Sequence, residues 1–101
     1  MRIERHCAAQ REVVEATRYY AAAAPHLTGQ FVAEFDEAVL RSAAHPNAWP
    51  PVGGGLRRCL LTKFPYQIIY RVEGEVIRIY AVAHAKQRPG YWMKRVVPQG
   101  G

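Results

Sequence analysis

The sequence is poor in the residues from which disulfide frameworks, metal sites and hydrolytic sites are built. Its two cysteines, Cys7 and Cys59, are too few for a disulfide framework and lack the spacing of metal ligands. Ser42 is the only serine and falls in a predicted helix, and the four histidines are scattered along the chain. We therefore expect reduced thiols, no metal ion, no cofactor and no self-sufficient hydrolytic site.

Long apolar segments are missing as well. No apolar run approaches the ~20 residues that are needed to cross a bilayer. The N-terminal residues, MRIERHC, lack the apolar stretch of a secretory signal. We therefore expect a cytoplasmic protein without a membrane partner. The length of 101 residues indicates a single domain over residues 1–101.

Acidic residues are scarce in the second half of the chain only. Residues 51–101 contain nine Lys or Arg and two Glu, whereas residues 1–50 contain five basic and six acidic residues. The basic half also contains six of the eleven Phe, Tyr and Trp residues. Such an asymmetry is typical of a surface that binds phosphates or an acidic protein segment.

The periodicity of the apolar residues predicts an α+β fold with the element order β-α-α-β-β-β. The expected segments are a first strand at 2–7, a helical hairpin at 8–44, a loop at 45–55, a β-sheet at 56–84 and a basic C-terminal tail at 85–101. The loop carries three prolines and three glycines, so we expect no regular element in it. Because amphipathic helices need an apolar surface to cover, we expect the hairpin to pack on one face of a small antiparallel sheet. The opposite face would then present Arg and Tyr side chains to water.

Alternation along the last strand divides its side chains between two faces. One face is expected to hold Ile77, Ile79, Ala81 and Ala83. The other face is expected to hold Val76, Arg78, Tyr80, Val82 and His84. Beyond this strand we expect Trp92 to anchor the tail by packing rather than to bind a ligand.

The side chains left to carry chemistry are cationic and aromatic. They are Arg57, Arg58, Lys63, Arg71, Arg78, His84, Lys86, Arg88, Tyr91 and Lys94. Guanidinium and ammonium groups bind phosphates, and aromatic rings stack on unpaired bases. Lys or Arg can also stabilise the phosphate during RNA cleavage while His or Tyr transfers a proton. The alternative is that arginines on a sheet face are solvated charges and strand tyrosines are core residues.

Several motifs taken together resemble the RelE/ParE superfamily of bacterial toxins from type II toxin–antitoxin systems, a family that includes plasmid stabilization proteins. They are His45-Pro46, Leu56-Arg57-Arg58, the run FPYQIIYRV at 64–72, the run IYAVAH at 79–84, Arg88-Pro89 and Tyr91-Trp92. The resemblance covers about residues 3–95. It implies a fold in which two helices pack on one face of a small curved antiparallel sheet.

The resemblance also implies a growth-inhibiting toxin that a cognate antitoxin neutralises. In this superfamily the C-terminal segment of the antitoxin wraps the toxin and folds on binding, which gives a hetero-oligomeric complex. The residues expected to bind the target or the antitoxin are Arg57, Arg58, Lys63, Arg71, Lys86, Lys94 and Arg95.

The superfamily divides by target, and one position bears on the division. RelE-like members cut mRNA on the ribosome, whereas ParE-like members are not nucleases and poison DNA gyrase. Ribonuclease members commonly carry an arginine where this chain has Gln67, and a neutral amide cannot supply fixed positive charge to a phosphate. We therefore expect a ParE-like toxin. The alternative is a metal-independent, RelE-like endoribonuclease whose catalytic residues would be His84, Arg78, Arg88 and Tyr91.

Overall fold

The computed structural model describes residues 1–96 and contains, within them, two α-helices and a five-stranded sheet. In chain order the elements are β1 Arg2–Arg5, α1 Cys7–Ala23, α2 Thr28–Ala44, β2 Pro51–Gly53, β3 Leu56–Leu60, β4 Tyr66–Glu73 and β5 Val76–His84. Short 3-10 turns lie at Pro25–Leu27 and Met93–Arg95. The strand order in the sheet is β1-β5-β4-β3-β2. The expected α+β fold is confirmed, while the end of the predicted tail, 97–101, lies outside the described residues.

The helices form where the apolar spacing predicts them. Ala9, Val13, Ala16 and Tyr20 recur on one face of α1 and are all buried. Against this face pack the buried rings of α2 and of the segment before β4, which gives a core on the helix side of the sheet. Among residues 1–96, neither helix has the length and apolar character to span a bilayer.

The sheet departs from expectation in two respects. It is mixed rather than antiparallel, because β1 pairs in parallel with β5 along the edge. The 45–55 segment also contains a strand, since Pro51 and Gly53 pair with β3. A proline is compatible with an edge strand, where its missing N–H faces outward. Gly54 and Gly55 both have positive φ, so the glycines build the tight turn into β3.

A β-bulge in β5 changes which residues face the helices. Tyr70 pairs with Ile79 while Ile69 pairs with Ala81, so Tyr80 is an extra residue in β5. Beyond the bulge, Val82 packs into the helix-side core. Ala81 and Ala83 lie in a second apolar cluster on the opposite face. The strict alternation predicted for this strand is therefore wrong from residue 81 onward.

The centre of the sheet face opposite the helices is not open to water. Its centre carries the buried side chains of Leu56, Ile69 and Tyr80, and the chain after β5 folds back over them. Trp92 lies in this second core with an exposed fraction of 5%. The prediction that Trp92 anchors the tail is confirmed. The expectation of a solvated Arg and Tyr face is wrong for this centre, where Arg71 and Tyr80 are buried. Alternation along the strands does not reveal the C-terminal segment that covers them.

We expect the segment after β5 to contribute strongly to stability. Replacing Trp92→Ala removes the largest ring from the second core and should lower the free energy of unfolding by about 3 kcal/mol. The matched control is Met93→Ala, because the Met93 side chain is 42% exposed and should cost under about 1 kcal/mol. Urea denaturation followed by circular dichroism measures both. Equal losses in the two variants would contradict the packing described.

Candidate functional site

The structure separates the predicted site residues by exposure rather than gathering them on one surface. The exposed ones are Arg58, Lys63, Lys86, Arg88 and Lys94. The partly buried ones are Arg57, Arg78, His84, Tyr91 and Arg95. Arg71 is buried, with an exposed fraction of 5%. The partly buried and buried side chains are held by the protein's own polar groups, as described next.

Two of the predicted arginines bind one carboxylate at the turn between β4 and β5. Glu73 accepts hydrogen bonds from Arg71 Nε at 2.8 Å and from Arg78 Nε at 2.9 Å. The hydroxyl of Tyr80 donates to the same carboxylate, and Arg71 Nη2 donates to that hydroxyl at 3.2 Å. We call Arg71, Glu73, Arg78 and Tyr80 the Glu73 cluster. Arg78 also pairs with Glu4 of β1 at 3.1 Å, so the cluster joins three strands.

The electrostatics of the Glu73 cluster favour the charged carboxylate. Burial of Glu73 raises its pKa, but the hydrogen bonds from Tyr80, Arg78 and Arg71 outweigh this effect and lower the pKa to about 2. Burial and the bond to Glu73 raise the pKa of Tyr80 above its ordinary value. The positive charges of both arginines are therefore matched locally, which leaves less charge for a phosphate or an acidic peptide.

A second carboxylate holds the segment after β5. Glu12 of α1 accepts a hydrogen bond from the Tyr91 hydroxyl at 2.6 Å and forms an ion pair with Arg95 at 2.8 Å. Glu12 also accepts the backbone N–H of Val82 at 3.0 Å. We call Glu12, Tyr91 and Arg95 the Glu12 cluster. It ties the helix, the edge of β5 and the C-terminal segment at one point.

The Glu12 cluster also fixes the protonation of its members. Burial of Glu12 raises its pKa, but the hydrogen bonds from Arg95, Tyr91 and the Val82 amide together hold the pKa below its ordinary value. Burial and the neighbouring carboxylate raise the pKa of Tyr91 far above its ordinary value. Tyr91 therefore stays protonated at neutral pH, and its hydroxyl acts as a hydrogen-bond donor to Glu12.

The remaining partly buried arginine has a structural contact as well. Arg57 belongs to the helix-facing side of β3 and donates from Nη1 to the backbone carbonyl of Trp49 at 2.7 Å. Beside it, the Tyr70 hydroxyl donates to the carbonyl of Pro46 at 2.7 Å. Both contacts hold the 45–50 segment against the sheet.

His84 lies at the end of β5, beside a cleft of about 580 Å³ between α1 and the sheet. Its ring packs edge-to-face on Tyr66 with the centroids 5.0 Å apart. Its Nδ1 accepts the backbone N–H of Lys86 at 3.0 Å, so the neutral ring carries its proton on Nε2. Tyr19 and Glu15 of α1 line the same cleft, which we call the helix-side cleft.

A second concave surface lies on the opposite face at the same end of the sheet. It has a volume of about 480 Å³, and we call it the far-face groove. Its main lining residues are Arg58, Leu60, Gln67, Gln87, Pro89 and Trp92. Leu60, in β3, is 58% exposed. The groove is therefore lined mostly by apolar side chains together with one cation, Arg58.

The two concave surfaces meet at Pro65, Tyr66 and Gln87, which line both of them. The exposed cations Lys63 and Arg88 are the chain neighbours of residues that line the far-face groove. An apolar groove with exposed cations beside it suits an amphipathic, acidic protein segment. This end of the sheet is the best candidate for a binding surface.

Sequence reasoning missed Glu12 and Leu60. No motif in the sequence singles out Glu12, which lies in the predicted helical hairpin. Its role follows from the folded-back C-terminal segment, which brings residues 79 and 83 positions away to its carboxylate. Alternation along β3 does place Leu60 on the same strand face as Arg58. It does not predict that this part of the face stays uncovered.

Comparison with known proteins gives the chain a family. Residues 3–89 match the family model described as ParE toxin of type II toxin-antitoxin system, parDE. The chain is 34% identical over 89 residues to Toxin ParE2 of Mycobacterium tuberculosis (strain CDC 1551 / Oshkosh), covering 87% of this chain and 85% of that protein. Toxin ParE2 of Mycobacterium tuberculosis strain H37Rv matches to the same extent.

A solved structure has a similar fold. The protein described as the chromosomal ParDE TA system from P. aeruginosa superposes with a TM-score of 0.72 at 22% identity. The superposition covers 85% of this chain and 97% of that one. At this identity the likeness concerns the arrangement of helices and strands.

Acid should weaken the fold through the Glu73 cluster. Because the pKa of Glu73 falls from 4.5 to about 2 on folding, its stabilisation is present above pH 4.5 and is lost as the pH falls toward 2. Glu73→Gln should lower the free energy of unfolding at neutral pH and flatten its decrease in acid. Urea denaturation at a series of pH values measures this, with Glu75→Gln, an exposed neighbour, as the control. A Glu73→Gln variant that loses stability in acid as steeply as the wild type would disprove the assignment.

Proposed function

Because this chain belongs to the ParE toxin family of type II toxin–antitoxin systems, we propose that it inhibits growth by poisoning DNA gyrase and is neutralised by a cognate antitoxin. The family assignment rests on the match of residues 3–89 and on the 34% identity to Toxin ParE2. The gyrase target is what the resemblance to ParE-like members implies. The observation that carries the choice between targets is the internal pairing of the nuclease candidates.

Two of the four catalytic candidates are bonded to carboxylates of the protein itself. Arg78 binds two carboxylates, Glu73 and Glu4, so its charge is matched before any phosphate arrives. Tyr91 donates its hydroxyl to Glu12 and has a raised pKa, which suits a clamp and not a general acid or base. Gln67, in the far-face groove, supplies no charge. These features support a protein that acts by binding rather than by cleaving RNA.

A RelE-like endoribonuclease is the second candidate, and one observation favours it. His84 lines the helix-side cleft together with Lys86, which places an imidazole ring and a cation on the same surface. Arg88 is exposed close by in the chain. These are the residue types that proton transfer and phosphate stabilisation require. We rank this function second because Arg78, the arginine of this set that lies in the sheet, is paired with Glu73 and Glu4.

For the antitoxin we propose a docking site in the far-face groove. The exposed side chain of Leu60 gives an apolar surface, and Arg58 adds a cation. Lys63, Lys86 and Arg88 extend the positive charge around the same end of the sheet. Lys94 is exposed on the C-terminal segment and contributes to the same basic half. An acidic, amphipathic segment that folds on binding fits this combination.

Purified protein should act on gyrase and leave mRNA intact. We expect it to inhibit supercoiling of relaxed plasmid and to increase the amount of DNA trapped in cleaved complexes with gyrase. In cells, induced expression should stop DNA synthesis before protein synthesis and cause filamentation. Pulse labelling of DNA, RNA and protein measures the order of these effects.

His84→Ala separates the two candidate functions. Under the gyrase proposal the variant retains growth inhibition, because His84 belongs to neither carboxylate cluster. If the protein instead cleaves RNA with His84 as acid or base, the same variant loses about 100-fold or more in cleavage rate. Codon-positioned cuts in mRNA made by the wild type and lost in His84→Ala would overturn the gyrase proposal.

Substitution in the far-face groove should weaken neutralisation. Leu60→Asp places a carboxylate where an acidic segment is expected to bury apolar surface, so the Kd for the antitoxin should rise at least about tenfold. Arg18→Glu is the control, since Arg18 is exposed on α1 and lines neither concave surface. Isothermal titration calorimetry with the cognate antitoxin measures both. An unchanged Kd for Leu60→Asp would rule out this groove as the docking site.

A further inference from the structure

The outer edge of β1 exposes backbone groups ready for another strand. The backbone N–H groups of Arg2 and His6 donate to the backbone carbonyls of Glu75 and Ile79. The backbone N–H and C=O groups of the even-numbered residues in this segment therefore point toward β5. The N–H and C=O groups of Ile3 and Arg5 therefore point away from the sheet. Within residues 1–96 no other element pairs with this edge.

Side chains cover the neighbouring edge of β5 but leave the outer edge of β1 uncovered in the described part of the chain. Beyond the end of β1, the edge of β5 is covered by side chains from outside the sheet. Glu12 accepts the N–H of Val82, and Arg95 donates to the carbonyl of Tyr80 at 2.9 Å. The edge of β1 has no such cover from side chains in the described part of the chain. Ile3 is also 38% exposed, which leaves an apolar side chain at the open edge.

The sequence of β1 is complementary to itself when two copies run antiparallel. With Ile3 of one copy opposite Ile3 of the other, the outward backbone groups of the two isoleucines can exchange two hydrogen bonds. In the same register Arg2 lies opposite Glu4 of the second copy, twice by symmetry. Both side chains lie on the face opposite the helices, because their partners in β5 are Val76 and Arg78. Within one chain Arg2 and Glu4 form an exposed ion pair at 3.2 Å. In the dimer each can instead face the opposite charge of the second copy, because non-hydrogen-bonded pairs bring side chains close together.

We propose that two copies of this chain associate through β1 about a twofold axis at Ile3, forming one continuous sheet. The contact is isologous, as a twofold axis requires, because Arg2 of each copy pairs with Glu4 of the other. Charged residues on a short edge strand usually prevent pairing. Here the order of the charges favours pairing in one register only. The dimer does not depend on which target the toxin has, and its interface lies away from the far-face groove.

A proline at position 3 tests the backbone contact. Ile3→Pro removes an N–H that faces outward and leaves intact the N–H groups of Arg2 and Glu4 that face β5. Sedimentation equilibrium on protein made by cell-free synthesis should show the wild type approaching twice the monomer mass as concentration rises. Ile3→Pro should stay monomeric, and the control Ile3→Val should behave as the wild type. Thermal unfolding verifies that each variant is folded.

Charge reversal tests the register without relying on the folding of one variant. In a dimer of the Arg2→Glu variant, carboxylates would face each other at both of these pairs. In a dimer of the Glu4→Arg variant, guanidinium groups would face each other at both pairs. Each variant alone should therefore be monomeric. Mixing the two variants restores opposite charges at both pairs, so the mixture should form a heterodimer. Rescue on mixing cannot arise from a change in the stability of either chain.

Three outcomes would overturn the proposal. One is a wild type that stays monomeric at every concentration. Another is a dimer that persists in Ile3→Pro, which would place the interface elsewhere. The third is a mixture of the two charge-reversed variants that remains monomeric although the wild type dimerises.

Discussion

The carboxylate of Glu12 is the contact on which the arrangement of the functional surface depends. It lies on the first helix, yet its bonds go to the edge of β5 and to the segment that follows that strand. By holding Tyr91 and Arg95 it keeps Trp92 over the second core. It also satisfies a strand N–H that would otherwise lie unpaired at the sheet edge. Without this contact, the wall of the far-face groove that Trp92 provides would lose its support.

The same kind of pairing explains how a basic chain limits its free charge. The second half of the sequence has a large excess of Lys and Arg, but three of its arginines, Arg71, Arg78 and Arg95, form ion pairs with the carboxylates of Glu4, Glu12 and Glu73. The predicted site cations that remain exposed are a smaller set: Arg58, Lys63, Lys86, Arg88 and Lys94. Charge counted from composition therefore overstates the surface available to phosphates. This difference supports a toxin that acts through protein contacts, with the surface near Leu60 as its docking region.

Sequence patterns predicted the helices and the layer structure well, because both follow from apolar spacing along the chain. The stripe of α1 and the anchoring role of Trp92 are examples. The bulge at Tyr80 was not predictable in this way, since one inserted residue reverses the faces of everything after it without changing composition. The parallel pairing of β1 was missed for a related reason, because a four-residue strand carries no sign of its partner.

The candidate site was predictable in its residue types but not in its geometry. A basic and aromatic end of the sheet follows from the sequence, and Arg58 and His84 do line its concave surfaces. The sequence does not reveal which arginines form internal ion pairs, because partners such as Glu12 and Arg95 are far apart in the chain. The resemblance to the RelE/ParE superfamily placed the chain correctly, and Gln67 was the one residue that indicated a target.

A double-mutant cycle between Glu12 and Arg95 tests most directly whether the C-terminal segment is clamped to the first helix. The free energies of unfolding of the wild type, Glu12→Ala, Arg95→Ala and the double variant would be measured by urea denaturation. Because the two side chains are 16% and 13% exposed and bonded at 2.8 Å, a favourable coupling is expected. Its magnitude should exceed about 1 kcal/mol. Additive losses, with a coupling near zero, would contradict the clamp and the shape of the surface that depends on it.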